Sequence, residues 1–295
     1  MATVQDLKRR IRSVGNTQKI TKAFELVASA RLRRAEARIE AMRPYADRML
    51  ELMGVTARAA GSVRLPLLER RESVTKVGLL PITADRGLAG AFNAQVLRRA
   101  FALERELRGE GVEVKWLAAG RRGRSTLTFR GYELIQTWQG FSERPGYADA
   151  QAIARRAGEL YANEEVDRVV VVYNRYKSPL VQEVTVQDLL PIPEKVIEGG
   201  EDAEQAALRG DFIYEPEPEQ ILERLLPVYV ETELYRALLE SAASEQGARM
   251  TAMRNASSNA GDLISSLTLA MNRARQAEIT QEILEVVAGA DALTG

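Results

Sequence analysis

The sequence predicts α/β plus long α: an antiparallel two-helix coiled coil from the N- and C-terminal helices, with a small Rossmann-like α/β domain inserted between them. Three observations predict it. Between Pro227 and Ala288 there is no further proline, and Gly247 and Gly261 are the only interior glycines. Over that stretch a seam in steps of three and four runs through Leu239, Ala242, Gln246, Arg249, Met253, Ala256, Ala260, Leu263, Leu267, Ala270, Ala274, Ala277, Gln281, Leu284 and Ala288. Only Gln246, Arg249 and Gln281 are not apolar, which is a heptad repeat in one register. At 1.5 Å per residue it spans roughly 90 Å, far longer than an ordinary globular helix. The second observation is a similar ladder near the start of the chain. The third is alternating strand and helix texture in between.

The N-terminal helix covers residues 3 to about 57, with a seam at Val4, Leu7, Ile11, Val14, Gln18, Thr21, Glu25, Ala28, Leu32, Ala35, Ile39, Met42, Ala46, Met49 and Met53. The seam turns polar at Gln18, Thr21 and Glu25, where apolar residues stand instead at Ile20, Ala23, Phe24 and Val27. Either the stripe drifts, because 3.6 does not divide seven evenly, or this stretch meets something other than its coiled-coil partner. Pro44 lacks a backbone donor, so a bend is expected there. Gly54 to Pro66 ends the helix.

From Val74 the pattern shortens. Val77–Thr83 reads as a strand, Asp85-Arg86-Gly87 as a turn, and Leu88–Leu107 as an amphipathic helix. Val112–Ala119 is a second strand, residues 120–131 a polar turn with a short helix, and Leu134–Trp138 a possible short strand. Asp149–Ala162 is a helix, Arg168–Tyr173 a buried strand, and Val181–Leu189 an alternating edge strand. Such alternation points to a mostly parallel sheet with helices on both faces. The expected organisation is therefore 1–60 coiled-coil helix, 74–190 α/β domain, 191–218 acidic loop, and 219–289 coiled-coil helix pairing with 1–60. Up through one helix, across the domain and back down the other gives a rod with a knob at one end.

Lys plus Arg and Asp plus Glu balance at 41 each over 295 residues. The balance hides a polarity. The first 58 residues carry thirteen Lys or Arg against six acids, whereas acids dominate from Pro191 to Glu233. Different partners at different ends are expected. With neither cysteine nor histidine, disulfides, thiol chemistry and the commonest general base are excluded, and a transition-metal site is disfavoured. No apolar run approaches ~20 residues and no signal peptide is read, so membrane association is expected only through partners.

The motifs carry little chemistry of their own. Asp85-Arg86-Gly87-Leu88-Ala89-Gly90 follows a strand but is neither GxxxxGK[ST] nor GxGxxG; its glycines permit a tight strand-to-helix turn. Gly120-Arg121-Arg122-Gly123-Arg124 reads as a solvated turn before it reads as an anion site. No nucleophile–base pair is found, and no cofactor is expected. The basic run at Arg31, Arg33 and Arg34 is a solvated helix face or a contact for an acidic protein surface. It lacks the interleaved aromatics of a nucleic-acid binder.

Five separated stretches, taken together, resemble one family. They are Arg10 to Ala23 (Arg-Ile-Arg-Ser-Val-Gly-Asn-Thr-Gln-Lys-Ile-Thr-Lys-Ala) with Leu26 to Ala35, Thr83 to Gly90, Tyr214-Glu215-Pro216, Ser244 to Met253, and Ile279 to Ala290. The last fits I-T-x-E, an acid three residues after that Glu, and Gly-Ala four further on. The whole chain thereby resembles the gamma subunit family of F-type ATP synthases, with bacterial character. Phe24 departs from it, standing where relatives often carry methionine, and so does the absence of the cysteine-bearing insertion of chloroplast members.

The resemblance implies a central-stalk rotor. Proton flow through the membrane ring turns an asymmetric coiled-coil shaft inside a hexamer of α and β subunits, which performs the ATP chemistry. The chain itself would be non-catalytic, one copy per complex, peripheral at the cytoplasmic face of the bacterial plasma membrane, with the epsilon subunit and the membrane c-ring as further partners. By the same resemblance Arg275 and Gln276 meet the catch loops of β, with Thr280, Glu282 and Glu285 nearby. Lys22, Phe24, Arg31, Arg33 and Arg34 fall near acidic lever segments of β. Phe212, Tyr214 and Glu215 face the ring and epsilon. Competing expectations are a non-rotary coiled-coil scaffold with an α/β docking domain, a nucleotide-binding α/β enzyme, and, more remotely, a nucleic-acid binder.

Overall fold

The computed structural model describes residues 3–61, 65–193, 196 and 215–294. Its two longest elements are helices α1 (Val4–Ala60) and the C-terminal α5 (Pro218–Thr294). Between them lie β1 (Lys76–Pro81), α2 (Phe92–Gly109), β2 (Glu113–Ala119), α3 (Arg121–Phe129), β3 (Leu134–Trp138), α4 (Tyr147–Ala162), β4 (Arg168–Tyr176) and β5 (Gln182–Leu190). The chain forms two compact units. One holds Met1–Ala28 with Met250–Gly295, and the other Ser29–Arg249.

The first unit is an antiparallel helix pair. Gln18 Nε2 donates to the Ser257 carbonyl at 3.3 Å and Arg254 Nε to Glu25 at 3.0 Å, so positions rise along α1 as they fall along α5. Leu7, Thr21, Glu25 and Ala28 are buried on α1. Their spacing keeps one register through the polar stretch, so the stripe does not drift; Ile20, Phe24 and Val27 point outward instead. On α5 the strict heptad fails. Leu263 is exposed, and the covered positions after Met253 and Ala260 become Ile264, Leu267, Met271 and Ala274. Met253 to Ile264 is eleven residues over three turns, closer to the natural period of a straight helix than seven over two. From Arg275 to Ala290 every side chain is exposed, including the expected seam positions Ala277, Gln281, Leu284 and Ala288. The cause is length. The antiparallel register carries the first turn of α1 opposite Ala274, and α5 continues past it.

In the second unit the strands form a five-stranded sheet in the order β3-β2-β1-β4-β5, parallel except for β5. Strand side chains alternate between two cores, as pleating requires. Leu80, Leu117, Val169, Val171 and Tyr173 face α4 and the sheet-bound parts of α1 and α5, through Ile153, Ala157, Met49, Met53, Leu226 and Tyr229. Val77, Leu79, Trp116, Val170 and Val172 face α2 and α3, through Val96, Ala100 and Leu127. Each large side chain fully removed from water here stabilises the fold by roughly 1.5–3 kcal/mol.

Local differences from expectation have local causes. β1 ends at Pro81 and α2 begins only at Phe92, because Leu88 (φ 64°) and Gly90 (φ 55°) are left-handed and cannot sit in a helix. α1 continues through Pro44, and α5 starts at Pro218, continues through Pro227 and passes Gly289 to Thr294.

Candidate functional site

Strand order 3-2-1-4-5 puts a crevice at the carboxyl ends of β1 and β4, where the order reverses and where doubly wound folds hold ligands. Here the chain fills it with itself. The Asp85 carboxylate accepts from the backbone N–H groups of Arg121 (2.9 Å), Gly140 (2.8 Å) and Ser142 (3.1 Å). It thus sits at the amino end of α3, where the backbone N–H groups and helix dipole favour a negative charge. Gly120 lies at φ 94°, and a Cβ there would stand 2.0 Å from the Thr83 carbonyl oxygen. Thr83 Oγ1 in turn donates to the Ala119 carbonyl and accepts from Gly123 N–H.

Helix α5 closes the crevice from above. Ser244 Oγ donates to the Asn174 carbonyl at 3.0 Å, and Asn174 Nδ2 donates to the Phe92 carbonyl at 3.3 Å. Ala84, Ala89 and Phe92 pack together, with Ala248 of α5 against them. Arg249 donates to the Gly87 carbonyl (3.2 Å) and pairs with Glu245 at 2.6 Å. Burial raises the Glu245 carboxyl above the usual range, against the pull of Arg249. Gln246 and Arg249 are therefore buried, and they break the seam because this part of α5 faces the sheet's loops. Gly247 has the same origin: an added Cβ would lie 3.0 Å from the Pro179 carbonyl oxygen.

In the helix-pair unit the polar stretch of α1 opens a groove of about 700 Å³, lined by Gln18, Lys19, Lys22, Ala23, Glu25, Leu26, Arg254, Ser257 and Ser258. Glu25 is 6% exposed. It accepts from Lys22 and from Arg254, each at 3.0 Å, and these two bonds, Lys22 first, hold its carboxyl below the usual value. Beside the groove Ile20, Phe24, Leu26 and Val27 present apolar surface to solvent, Leu26 at 62% exposure. A second apolar surface is the unmatched end of α5, where Ile279, Ile283, Leu284, Val286 and Val287 are all exposed. At 3.6 residues per turn these five fall within an arc of about 160°, a broad apolar face, and Glu278, Glu282 and Glu285 lie on the opposite side.

Known proteins resemble the chain over nearly its whole length. A family profile described as ATP synthase matches residues 3–293. The chain is 48% identical to the ATP synthase gamma chain of Rubrobacter xylanophilus over 296 residues, covering 99% of each. It is 45% identical to that of Moorella thermoacetica over 293 residues, covering 99% of this chain and 100% of the relative. The chain belongs to the ATP synthase gamma chain family. Among solved structures, it is similar to a chain of the central stalk and c-ring of Tetrahymena thermophila mitochondrial ATP synthase, at 27% identity with a TM-score of 0.59, covering 81% of this chain and 99% of that one. A chain of the Euglena gracilis mitochondrial enzyme (OSCP/F1/c-ring) shares the fold at 18% identity with a TM-score of 0.71, covering 98% of this chain and 94% of that one.

The residues to which the gamma-family resemblance gives roles fall in separate places. Lys22 and Phe24 lie beside the groove, and Arg275, Gln276, Thr280, Glu282 and Glu285 on the exposed end of α5, all in the helix-pair unit. Thr280 is tied back to the Gln276 carbonyl (2.8 Å), and Glu285 accepts from Gln281 at 3.0 Å. Arg31, Arg33 and Arg34 belong to the other unit. Arg33 and Arg34 are exposed, but Arg31 is engaged by Glu143 at 2.5 Å. Glu215 is exposed just ahead of α5, whereas Phe212 and Tyr214 lie outside the described residues. Sequence reasoning placed Ile279, Ile283, Val286 and Val287 in a family-like stretch but gave them no contact role. Their signal was available as apolar residues lying off the seam. Among the described residues no helix is long and apolar enough to cross a membrane.

Proposed function

We propose that this chain is the central-stalk rotor of a proton-translocating F-type ATP synthase, turning within a hexamer of α and β subunits and non-catalytic on its own. The carrying observation is the end of α5 beyond Ala274, a helix with no partner in the chain that leaves a broad face of Ile279, Ile283, Leu284, Val286 and Val287 exposed. Monomeric surfaces rarely leave such a continuous patch uncovered, and a surrounding sleeve of subunits would cover it. The groove at Lys22 and Glu25 and the outward Phe24 add a second place where a side-on partner fits. Because the two faces of the helix pair differ in charge and apolarity, three β subunits around it would each meet a different surface, and differential contact is what shifts each toward a different state.

Within this reading Arg275, Gln276, Thr280, Glu282 and Glu285 contact β near the exposed end. Lys22, Phe24, Arg33 and Arg34 contact acidic segments of β, whereas Arg31 is paired with Glu143 within the chain and lies outside that contact set. Glu215, with Phe212 and Tyr214, faces the membrane ring and the epsilon subunit. Residues 74–190 act as the inserted domain between the two coiled-coil helices. The chain is held peripherally at the cytoplasmic face of the bacterial membrane, entirely through partners.

Reconstitution with purified α and β subunits tests the proposal. Capture of one chain per hexamer, with α5 imaged on the hexamer axis, is the expected outcome. Binding outside the axis, or in other ratios, would favour a non-rotary scaffold. In the same complex, Arg33→Ala with Arg34→Ala should weaken assembly increasingly as salt is lowered, since exposed pairs are screened at high salt. Unchanged assembly and torque would remove these two arginines from the contact set.

A further inference from the structure

The loop between β3 and α4, residues 139–146, carries none of the proposed subunit contacts, yet it grips both long helices. Glu143 is its centre. Its Oε2 takes Arg31 of α1 at 2.5 Å, while its Oε1 faces Arg249 of α5 at 3.7 Å and Arg86 of the β1–α2 turn at 3.8 Å. Two turns along α1 from Arg31, Arg38 donates to the Pro145 carbonyl and, at 3.1 Å, to Tyr235 of α5. Just after the loop, Tyr147 donates to Glu231 of α5 at 2.6 Å and meets the Tyr235 ring edge-on. The loop is itself pinned from below, because Asp85 accepts from Gly140 and Ser142 N–H groups and Asp85 N–H donates to Ser142 Oγ at 2.9 Å.

Two features set this apart from ordinary surface pairing. Glu143 has 23% of its side chain exposed and Arg249 only 10%, so their attraction is far less screened than that of an exposed pair. Among the described residues the buried Arg249 Nη1 makes no hydrogen bond, and Glu143 is the carboxylate that faces it. Arg31 and Arg249 are also the charged residues nearest the points, Ala28/Ser29 and Arg249/Met250, at which each helix passes from one compact unit to the other.

We infer that Glu143 is a positioning residue for rotation: it locks α1 and α5 to each other and to the sheet, so that torque applied to the α/β unit reaches both helices together. This rests on the rotor reading. Both helices already pack under the sheet through Met49, Met53, Leu226 and Tyr229, and apolar contact is non-directional; Glu143 adds a directional tie farther along each, at Arg31 and Arg249. Glu143 ties both with a single carboxylate, and the Asp85 bonds anchor that tie to the strand ends.

The experiment uses the assembled catalytic hexamer with the full chain, a probe attached to the α/β unit, and Glu143→Ala and Glu143→Gln. ATP hydrolysis should stay near wild type, because Glu143 touches no nucleotide-binding subunit in this reading. The variance of the probe's angle during pauses should rise about twofold, as expected when a cooperative tie becomes a locally opening one. Arg71→Gln removes an ion pair with Glu164 at the amino end of the sheet and controls for lost stability; it should leave the variance unchanged. Amide hydrogen exchange on the full chain adds a second readout, with faster exchange at residues 244–250 in both Glu143 variants. Unchanged variance and unchanged exchange, or an equal rise with Arg71→Gln, would overturn the inference. Failure of the wild-type chain to assemble or rotate would instead strike the rotor reading itself.

Discussion

Arg254 Nε lies 3.0 Å from Glu25 Oε1 across the two helices of the pair, and joins a buried carboxylate to a guanidinium that is more than half exposed. A heptad seam ordinarily carries an apolar side chain at such a place. Glu25 holds the seam's register while its neighbours Phe24 and Leu26 turn outward.

Replacing Glu25 with alanine should destabilise the isolated chain by about 1–3 kcal/mol, because it removes an acceptor of two charged hydrogen bonds and leaves a gap. Glu25→Leu should cost less and can stabilise, since buried ion pairs are often matched by apolar packing. Urea unfolding of the full chain checks both, and a larger loss for leucine than for alanine would refute the argument.

The same pair has a pH signature. The folded carboxyl of Glu25 titrates below its ordinary value of 4.5, so ionised Glu25 favours the folded chain. That contribution is complete above the ordinary value and disappears as pH falls through the lowered one. The melting-temperature gap between wild type and Glu25→Gln should therefore be widest near neutrality and close as pH drops below that value. A gap that widens in acid would contradict the assignment.

Gly120 and Gly158 offer a paired backbone test. Gly120→Ala forces a Cβ onto the Thr83 carbonyl at a left-handed φ, which should cost more than about 2 kcal/mol. Gly158 lies within α4, and an added Cβ there meets nothing within 4 Å. Gly158→Ala should stabilise by roughly 0.5–1 kcal/mol. Denaturant midpoints of the two variants should move in opposite directions.

Truncation after Ala274 addresses the unmatched end of α5. Its exposed side chains bury little within the chain, so the melting midpoint of the isolated protein should stay within the change expected of surface substitutions, about 0.5 kcal/mol. Capture by the α and β subunits should be lost. A marked fall in intrinsic stability would mean that the segment packs on its own chain.

The sequence made the elements legible where one local rule dominated. Five apolar or aromatic residues in a row at 169–173 mark a strand buried on both faces, and the α1 ladder keeps its register from Leu7 to Ala28. What it hid were positions decided by distant partners. Leu263 gives way to Ile264 because a straight helix keeps its own period once contact loosens. Gln246 and Arg249 looked like flaws in a repeat because nothing near them in sequence announces Gly87 or Glu143. Arg31 reads as one more cation in a basic run until the fold brings a loop over a hundred residues later beside it.

The filled crevice at the carboxyl ends of β1 and β4 has a competitive consequence. Its occupants, the side chains of α5 from Ser244 to Arg249, are parts of the chain and so are present at an effective concentration set by covalent linkage. For short tethers that concentration is of the order of millimolar, and here a continuous helix holds the occupants in place. A diffusing nucleotide would need to outbid them and also unseat the helix that the sheet grips. A topology suited to capturing a ligand becomes, by this substitution, a joint.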